Sequence, residues 1–365
     1  MNIRDKFMQM IMLGMDIESL NDEVIRLIRD YKIGGIVLYK KNYHDIDSMR
    51  DLINKIKKIN EGNIPLFIAI DQENGRVNRM PDEIERIYSP LRQVKTGKIE
   101  IVNKCDEITG ELLNKVGVNM NLAPVLDINY DDSKIIGNRS YGTSLHEVIK
   151  YGISSMINYK NMGIIPVVKH FPGHGLVNGD SHYLIPMIND IKKMEDDLEV
   201  YENAINNGCE VIMIGHLKVK GYGREPASIN KNIIEKCLID RYNYQGLIIT
   251  DDLRMNTMKY IYGIKNMVNK SIQAGSNILM IKYKKRDTKK LYDELYKMVD
   301  KEKISHELIE NSYQKIINIK NKYKISNDIS SEVIDIDRIN KEIREVNGEI
   351  EKFSQLVRFN MKKSG

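Results

Sequence analysis

With 365 residues, 42% hydrophobic and 29% charged, the chain has a globular composition and enough length for one large α/β domain or two smaller ones. Fifty-six lysines and arginines against 51 aspartates and glutamates leave a net charge of +5, too mild to point to nucleic acid. No apolar run approaches the ~20 residues that span a bilayer, no signal-peptide apolar stretch opens the chain, and the three cysteines (Cys105, Cys209, Cys237) fit no zinc spacing; a cytoplasmic protein with free thiols is expected.

Eight short apolar runs follow one another, at 10–13, 35–39, 66–70, 120–125, 165–168, 211–214, 247–249 and 278–281. Each has the length of a fully buried parallel strand. Between them lie amphipathic stretches long enough for crossover helices, such as 17–30, 45–60 and 230–242, and a further one at 289–297 follows the last run. Eight βα units in this length predict an α/β fold, a TIM-like (β/α)8 barrel. An open doubly wound sheet is the rival, but the glycine-rich first turn of a dinucleotide fold is missing.

Polar residues collect where the runs end. Asp71 follows the third, Asp127 the fourth, Lys169 and His170 the fifth, His216 the sixth and Asp251 the seventh. In a barrel all of these lie on the C-terminal face, where active sites sit. Beyond residue 300 the chain is charged and helical, with 326–331 read as a linker. Ile339, Ile343, Val346, Ile350, Phe353 and Val357 then form a short heptad stripe. It is read as a C-terminal helical extension packed on the barrel, with a weak dimer contact as the alternative. The expected division is a catalytic domain over 1–325 and a linker with an amphipathic helix over 326–365.

The segment Lys169-His170-Phe171-Pro172-Gly173-His174-Gly175, with Asp180-Ser181-His182 behind it, concentrates three histidines among glycines and a proline. Such a loop holds imidazoles in a set shape. Asp180 two residues from His182 has the orienting logic of a catalytic dyad, although a turn aspartate beside an exposed histidine is the plainer alternative. Asp251-Asp252 closes a buried strand, which is costly unless the acids are solvated, paired or working; Asp251 is read as functional and Asp252 as structural. Asp71 with Arg76 and Arg79 suits recognition of hydroxyl and acidic groups, and Arg139 is a further donor fork. Glu73 and Arg76 have the spacing to pair with each other. His170, His174, His182 and Asp180 have the chemistry of a metal site, but no His-x-His or His-Glu-x-x-His pattern is present, so neither metal nor cofactor is expected.

On these residues the chain resembles glycoside hydrolase family 3, in its β-N-acetylglucosaminidase (NagZ-type) branch. The matching segments are Ile70-Asp71-Gln72-Glu73-Asn74-Gly75-Arg76-Val77, Leu122-Ala123-Pro124-Val125-Leu126-Asp127, Gly137-Asn138-Arg139-Ser140-Tyr141-Gly142, Lys169 through Gly175, Asp180-Ser181-His182 and Thr250-Asp251-Asp252-Leu253. They fall in order across about 5–325. The resemblance implies a TIM-like barrel and a retaining double displacement. It makes Asp251 the nucleophile, His182 the general acid/base and Asp180 its partner, with Asp71, Arg79, Arg139, Lys169 and His170 holding the terminal N-acetylglucosamine. The implied substrate is a small saccharide or muropeptide fragment. A family 3 β-glucosidase, a phosphorylase and a non-catalytic sugar sensor are the alternatives. Asn74 stands where the family has a glycine and Leu176 where an aspartate often follows Gly-His-Gly. Asn tolerates left-handed angles, so the turn at 74 is expected to survive. The single-domain form of the family is expected. Without tryptophan, the cleft has only Tyr141 and Tyr183 as candidate sugar platforms.

Overall fold

The protein is described by a computed structural model over residues 1–130, 133–177, 185–255, 258, 261–285 and 288–363, with the last helix's side chains described through Phe353 and at Gln355. Its strands are β1 (Ile11–Gly14), β2 (Gly35–Leu38), β3 (Phe67–Ile70), β4 (Met120–Asn121), β5 (Ile165–Pro166), β6 (Val168–Phe171), β7 (Met187–Ile188), β8 (Val211–Ile214), β9 (Lys218–Val219), β10 (Leu247–Thr250) and β11 (Leu279–Lys282). All pairings between them are parallel.

One sheet runs β11-β1-β2-β3-β4-β5 and a second runs β10-β8-β6. Two isolated bridges, Val125 to Lys169 and Ile249 to Ile278, join their edges. With β5 and β6 as one interrupted stave, eight parallel staves close on themselves. This is the expected (β/α)8 barrel, and all eight apolar runs supply its staves. The stave residues are almost all buried, which is why the runs are dominated by Ile, Leu, Val and Met.

The interruptions have local causes. Pro124 and Pro166 remove backbone donors, so the predicted run 120–125 pairs regularly only over its first two residues. The Ala123–Pro124, Lys169–His170 and Phe171–Pro172 peptides are cis. The ribbon of β7 and β9 has no counterpart among the apolar runs, because two-residue strands carry no periodicity.

Crossover helices wrap the barrel, including Asp22–Arg29, Ile46–Ile59 and Thr288–Asp300. Asn21 and Asp45 cap the first two by accepting from Val24 and Ser48 amides. The C-terminal helix Ile336–Lys363 lies along the helix Ile99–Val116. Ile339, Ile343, Val346 and Ile350 are buried in the chain's own core. Intrachain packing is therefore the reading that holds for these four stripe positions, and they are not free to form a dimer seam. Phe353 is half-buried beneath the Lys98 ammonium, and the Val357 side chain lies outside the described residues. The predicted linker is a pinned strap: Ser330 exchanges two hydrogen bonds with Asn54, and Asn327 reaches Asn60 and Asn63. No helix among the described residues is long and apolar enough to cross a membrane.

Candidate active site

Asp71 leaves the end of β3 and opens a tight loop. Gln72 ties the loop together. Its amide donates to Asn74 and Asn78 side chains, its carbonyl oxygen accepts from the Arg79 amide, and its backbone exchanges hydrogen bonds with Asn121. Asn74 has φ of 69°, the left-handed conformation expected of it. Gly75 follows at φ of 62°, and a Cβ there would lie 2.5 Å from the Ser89 Cβ, so this position takes only glycine.

The expected pairing of Glu73 with Arg76 does not form. Arg76 turns outward and donates to the carbonyls of Lys134 and Ile136 at 3.1 and 3.2 Å. Glu73 instead takes a two-pronged contact from Arg139, at 2.6 and 2.8 Å, and the Lys169 ammonium at 2.6 Å. Lys169 also donates to Asp71 at 2.8 Å, while an Arg79 nitrogen lies 3.9 Å from the same carboxylate. Burial alone would push the Glu73 carboxyl up. Arg139 and Lys169 outweigh it and hold Glu73 well below the usual carboxylate range. Burial likewise works against the Lys169 charge, but Asp71 and Glu73 raise its pKa above the ordinary lysine value.

β6 delivers Lys169 and His170 side by side. Asp127, fully buried, organises the loop behind them. One of its oxygens accepts the amides of His170 and His174 at 3.1 and 2.7 Å, and the other accepts from His170 Nδ1 at 2.7 Å. A carboxylate can only accept, so Nδ1 carries the hydrogen and His170 Nε2 is the nitrogen left for a ligand. Burial, then the neighbouring His170, lowers His174 to about 4, which keeps it neutral. Gly175 passes so close to the opposite loop that a Cβ would sit 1.7 Å from the Ile128 carbonyl oxygen. Leu176, the other departure from the family pattern, is half-buried against the apolar cluster that contains Leu126, Ile128 and Val177.

Asp251 emerges at the end of β10. Its amide donates to the Ile214 carbonyl, and its carboxylate accepts from the Asp252 amide at 2.7 Å. Desolvation opposes its charge, but His216, His170, the Asp252 amide and Lys169 together leave its pKa below the usual value. Asp252 behaves as the structural member of the pair. It accepts from the Arg254 and Lys282 amides, both at 3.0 Å, and burial raises its pKa.

Asp71, Arg79, Arg139, Lys169, His170 and Asp251, all singled out from the sequence, line one cavity of about 340 Å³. Asp180, His182 and Tyr183 lie outside the described residues. Tyr141 is no platform: it is buried, with its hydroxyl on Ser155 at 2.9 Å. Sequence reasoning missed Tyr39, Lys282 and the anchoring work of Glu73 and Asp127. Tyr39 and Lys282 stand at the ends of β2 and β11, so the strand-end rule that found the others reaches them too. Tyr39 lends the cavity an aromatic wall, and Met213 and Met280 add an apolar floor.

An ionised carboxylate and a set of fixed donors and acceptors line one space sized for a monosaccharide. A barrel with this arrangement on its C-terminal face has the form of a glycoside hydrolase, and the comparisons agree. The model of the glycosyl hydrolase family 3 N-terminal domain matches residues 2–319, and the chain belongs to that family. It is 32% identical over 266 residues to a beta-hexosaminidase of Photobacterium profundum, spanning 72% of this chain and 78% of that one. Against the beta-hexosaminidase LpqI of Mycobacterium tuberculosis it is 29% identical over 288 residues, 76% of this chain and 72% of the relative. A solved family 3 beta-N-acetylglucosaminidase from Paenibacillus sp. superposes with a TM-score of 0.87 at 27% identity, covering 96% of this chain and 69% of that chain.

Proposed function

We propose that the protein is a retaining exo-β-N-acetylglucosaminidase that removes terminal β-linked N-acetylglucosamine. Asp251 is the nucleophile and His182, oriented by Asp180, the general acid/base. The Asp251 carboxylate, held ionised in a monosaccharide-sized cavity that Asp71, Arg139, Lys169 and His170 also line, is the observation that carries this reading. The activities named for the relatives support the choice of sugar. Muropeptide fragments as substrate and a cytoplasmic setting belong to the same reading and rest on the motif resemblance. Residues 1–325 are taken as the catalytic unit, with 326–365 as strap and buttress.

In the first half-reaction an Asp251 oxygen attacks the anomeric carbon. The glycosidic bond breaks, and its oxygen leaves with a proton from His182. In the second, water gives a proton to His182 and its oxygen displaces Asp251, releasing the sugar with retained configuration. The described carboxyls of the cavity support an imidazole acid. Asp71 and Glu73 are tied to cations, and Asp252 is tied to two amides, so none of them stands as a spare proton donor.

The test compares aryl β-N-acetylglucosaminide with aryl β-glucoside as substrates, with and without inorganic phosphate. Wild-type enzyme should prefer the first and ignore phosphate, and Asp251→Ala should lose at least ~10³-fold in kcat while staying folded. Substantial turnover by the folded variant would remove Asp251 from the nucleophile role. A rate that depends on phosphate would replace hydrolysis by phosphorolysis.

A further inference from the structure

We propose that His216 and Ser228 form a positioning relay that sets the Asp251 carboxylate for attack by gripping the backbone of Asp252. The inference rests on Asp251 being the nucleophile.

His216 sits just past the end of β8, beside β10, and is only 2% exposed. Its Nε2 lies 3.0 Å from the Asp252 carbonyl oxygen and its Nδ1 lies 2.7 Å from the Ser228 hydroxyl. A carbonyl only accepts, so Nε2 carries the hydrogen. Nδ1 is paired with the Ser228 hydroxyl. The two contacts therefore fix the ring's orientation. Ser228 is fully buried on the short turn Ala227–Ile229, and its own carbonyl accepts from the Ser271 hydroxyl at 2.9 Å. The chain of hydrogen bonds thus runs from the helix Ile264–Ala274 through Ser228 and His216 to Asp252.

What this grips is the residue that holds the nucleophile. The Asp252 amide donates to the Asp251 carboxylate at 2.7 Å. Its direction depends on residue 252 keeping its place, and His216 fixes the carbonyl side of that residue. The Asp252 carboxylate is separately pinned by the amides of Arg254 and Lys282. His216 is not among the residues lining the cavity; besides its charge effect on Asp251, it holds that carboxylate's position through residue 252. Apart from Asp252, no described residue lining the cavity takes a hydrogen bond from His216. Loss of the relay should disturb the attack geometry and leave the grip on the sugar unchanged.

The experiment uses the full chain and an aryl β-N-acetylglucosaminide, with His216→Ala, His216→Gln and Ser228→Ala beside wild type and Asp251→Ala. His216→Ala should lose roughly a hundredfold in kcat with KM within about twofold, since a misplaced reacting group costs turnover before affinity. Gln has an amide N–H for the Asp252 carbonyl and an oxygen for the Ser228 hydroxyl, so it should recover much of the loss. Ser228→Ala should fall between. The relay is overturned if folded His216→Ala keeps kcat within about threefold of wild type, if KM rises in step with the loss, or if Gln is no better than Ala. Should the alanine variant fail to fold, Ser228→Ala carries the test, and a wild-type kcat there overturns the relay. Inactive wild type, or active Asp251→Ala, overturns the functional reading itself. Inactive Asp251→Ala beside fully active His216→Ala overturns the relay alone.

Discussion

Glu73 takes three hydrogen bonds from two cations while only 4% exposed, and Lys169 beside it is 2% exposed. Neither charge would be tolerated there alone, because an unpaired buried ion costs several kcal/mol. Their value to a sugar site is rigidity: Glu73 fixes the guanidinium plane of Arg139 and the ammonium of Lys169, and leaves Asp71 oxygens to face the ligand. Glu73→Gln keeps the shape and removes the charge. It should cost about 3–5 kcal/mol of stability, because Lys169 is left with Asp71 as its anion and Arg139 loses its hydrogen-bonded carboxylate, keeping Asp127 and Asp71 as neighbours. Thermal unfolding should show the loss, and KM for an aryl β-N-acetylglucosaminide should rise at least ~10-fold as the two donors drift. An unchanged melting temperature would reject this account. At this scale the sequence showed which residues matter, since a charged side chain just past a buried strand is conspicuous. It did not show who pairs with whom. Glu73 meets Arg139 across 66 residues of chain, whereas spacing favours only neighbours such as Arg76.

The loop from Asp71 to Arg79 shows what an element adds beyond its residues. Asp71, Glu73 and Arg79 reach the cavity only because the backbone reverses at Asn74 and Gly75, both at positive φ, and Gln72 knots the ends of the reversal. Asn74 serves the turn twice, through its backbone angle and through side-chain hydrogen bonds to Gln72 and Thr109. A β-branched residue suits neither purpose. Asn74→Val should cost ~1–2 kcal/mol for the left-handed angle alone, with the unsatisfied Gln72 amide adding to it. Asn74→Gly should keep the angle and lose only the side-chain bonds. Melting temperatures ordered wild type, then Gly, then Val, with KM rising in the same order, are the expected result. A valine variant as stable as wild type would show that the turn tolerates another conformation. The turn at 74 was readable in advance because Asn is among the few residues that replace glycine at such angles. Stave limits were less readable, since Pro124 and Pro166 stop regular pairing inside runs that remain apolar.

Closing eight staves creates a problem at each end of the barrel. The C-terminal end is filled by the charged residues of the site. At the N-terminal end Lys320, from the helix His306–Lys322, reaches in across the starts of β1, β2 and β3. It donates to the Gln9 side chain and the Gly34 carbonyl, both at 2.9 Å, and its ammonium lies 4.7 Å from the centre of the Phe67 ring. None of these partners is a carboxylate, and burial lowers its pKa from 10.5 to about 7. Between those two values the unfolded chain holds a proton on this lysine that the folded protein does not. Unfolding there takes up a proton, so the Lys320 contribution to stability rises with pH from about 7 towards 10.5 and is flat below that window. Lys320→Met keeps the length and removes the titration. Denaturant unfolding of both proteins at several pH values isolates the effect, because every other titrating group is shared and cancels in the difference. Wild type should gain on the methionine variant by an amount on the order of a few kcal/mol as pH climbs through the window. A difference that does not change with pH would mean that the folded protein keeps this lysine charged, with water reaching the barrel floor to solvate it.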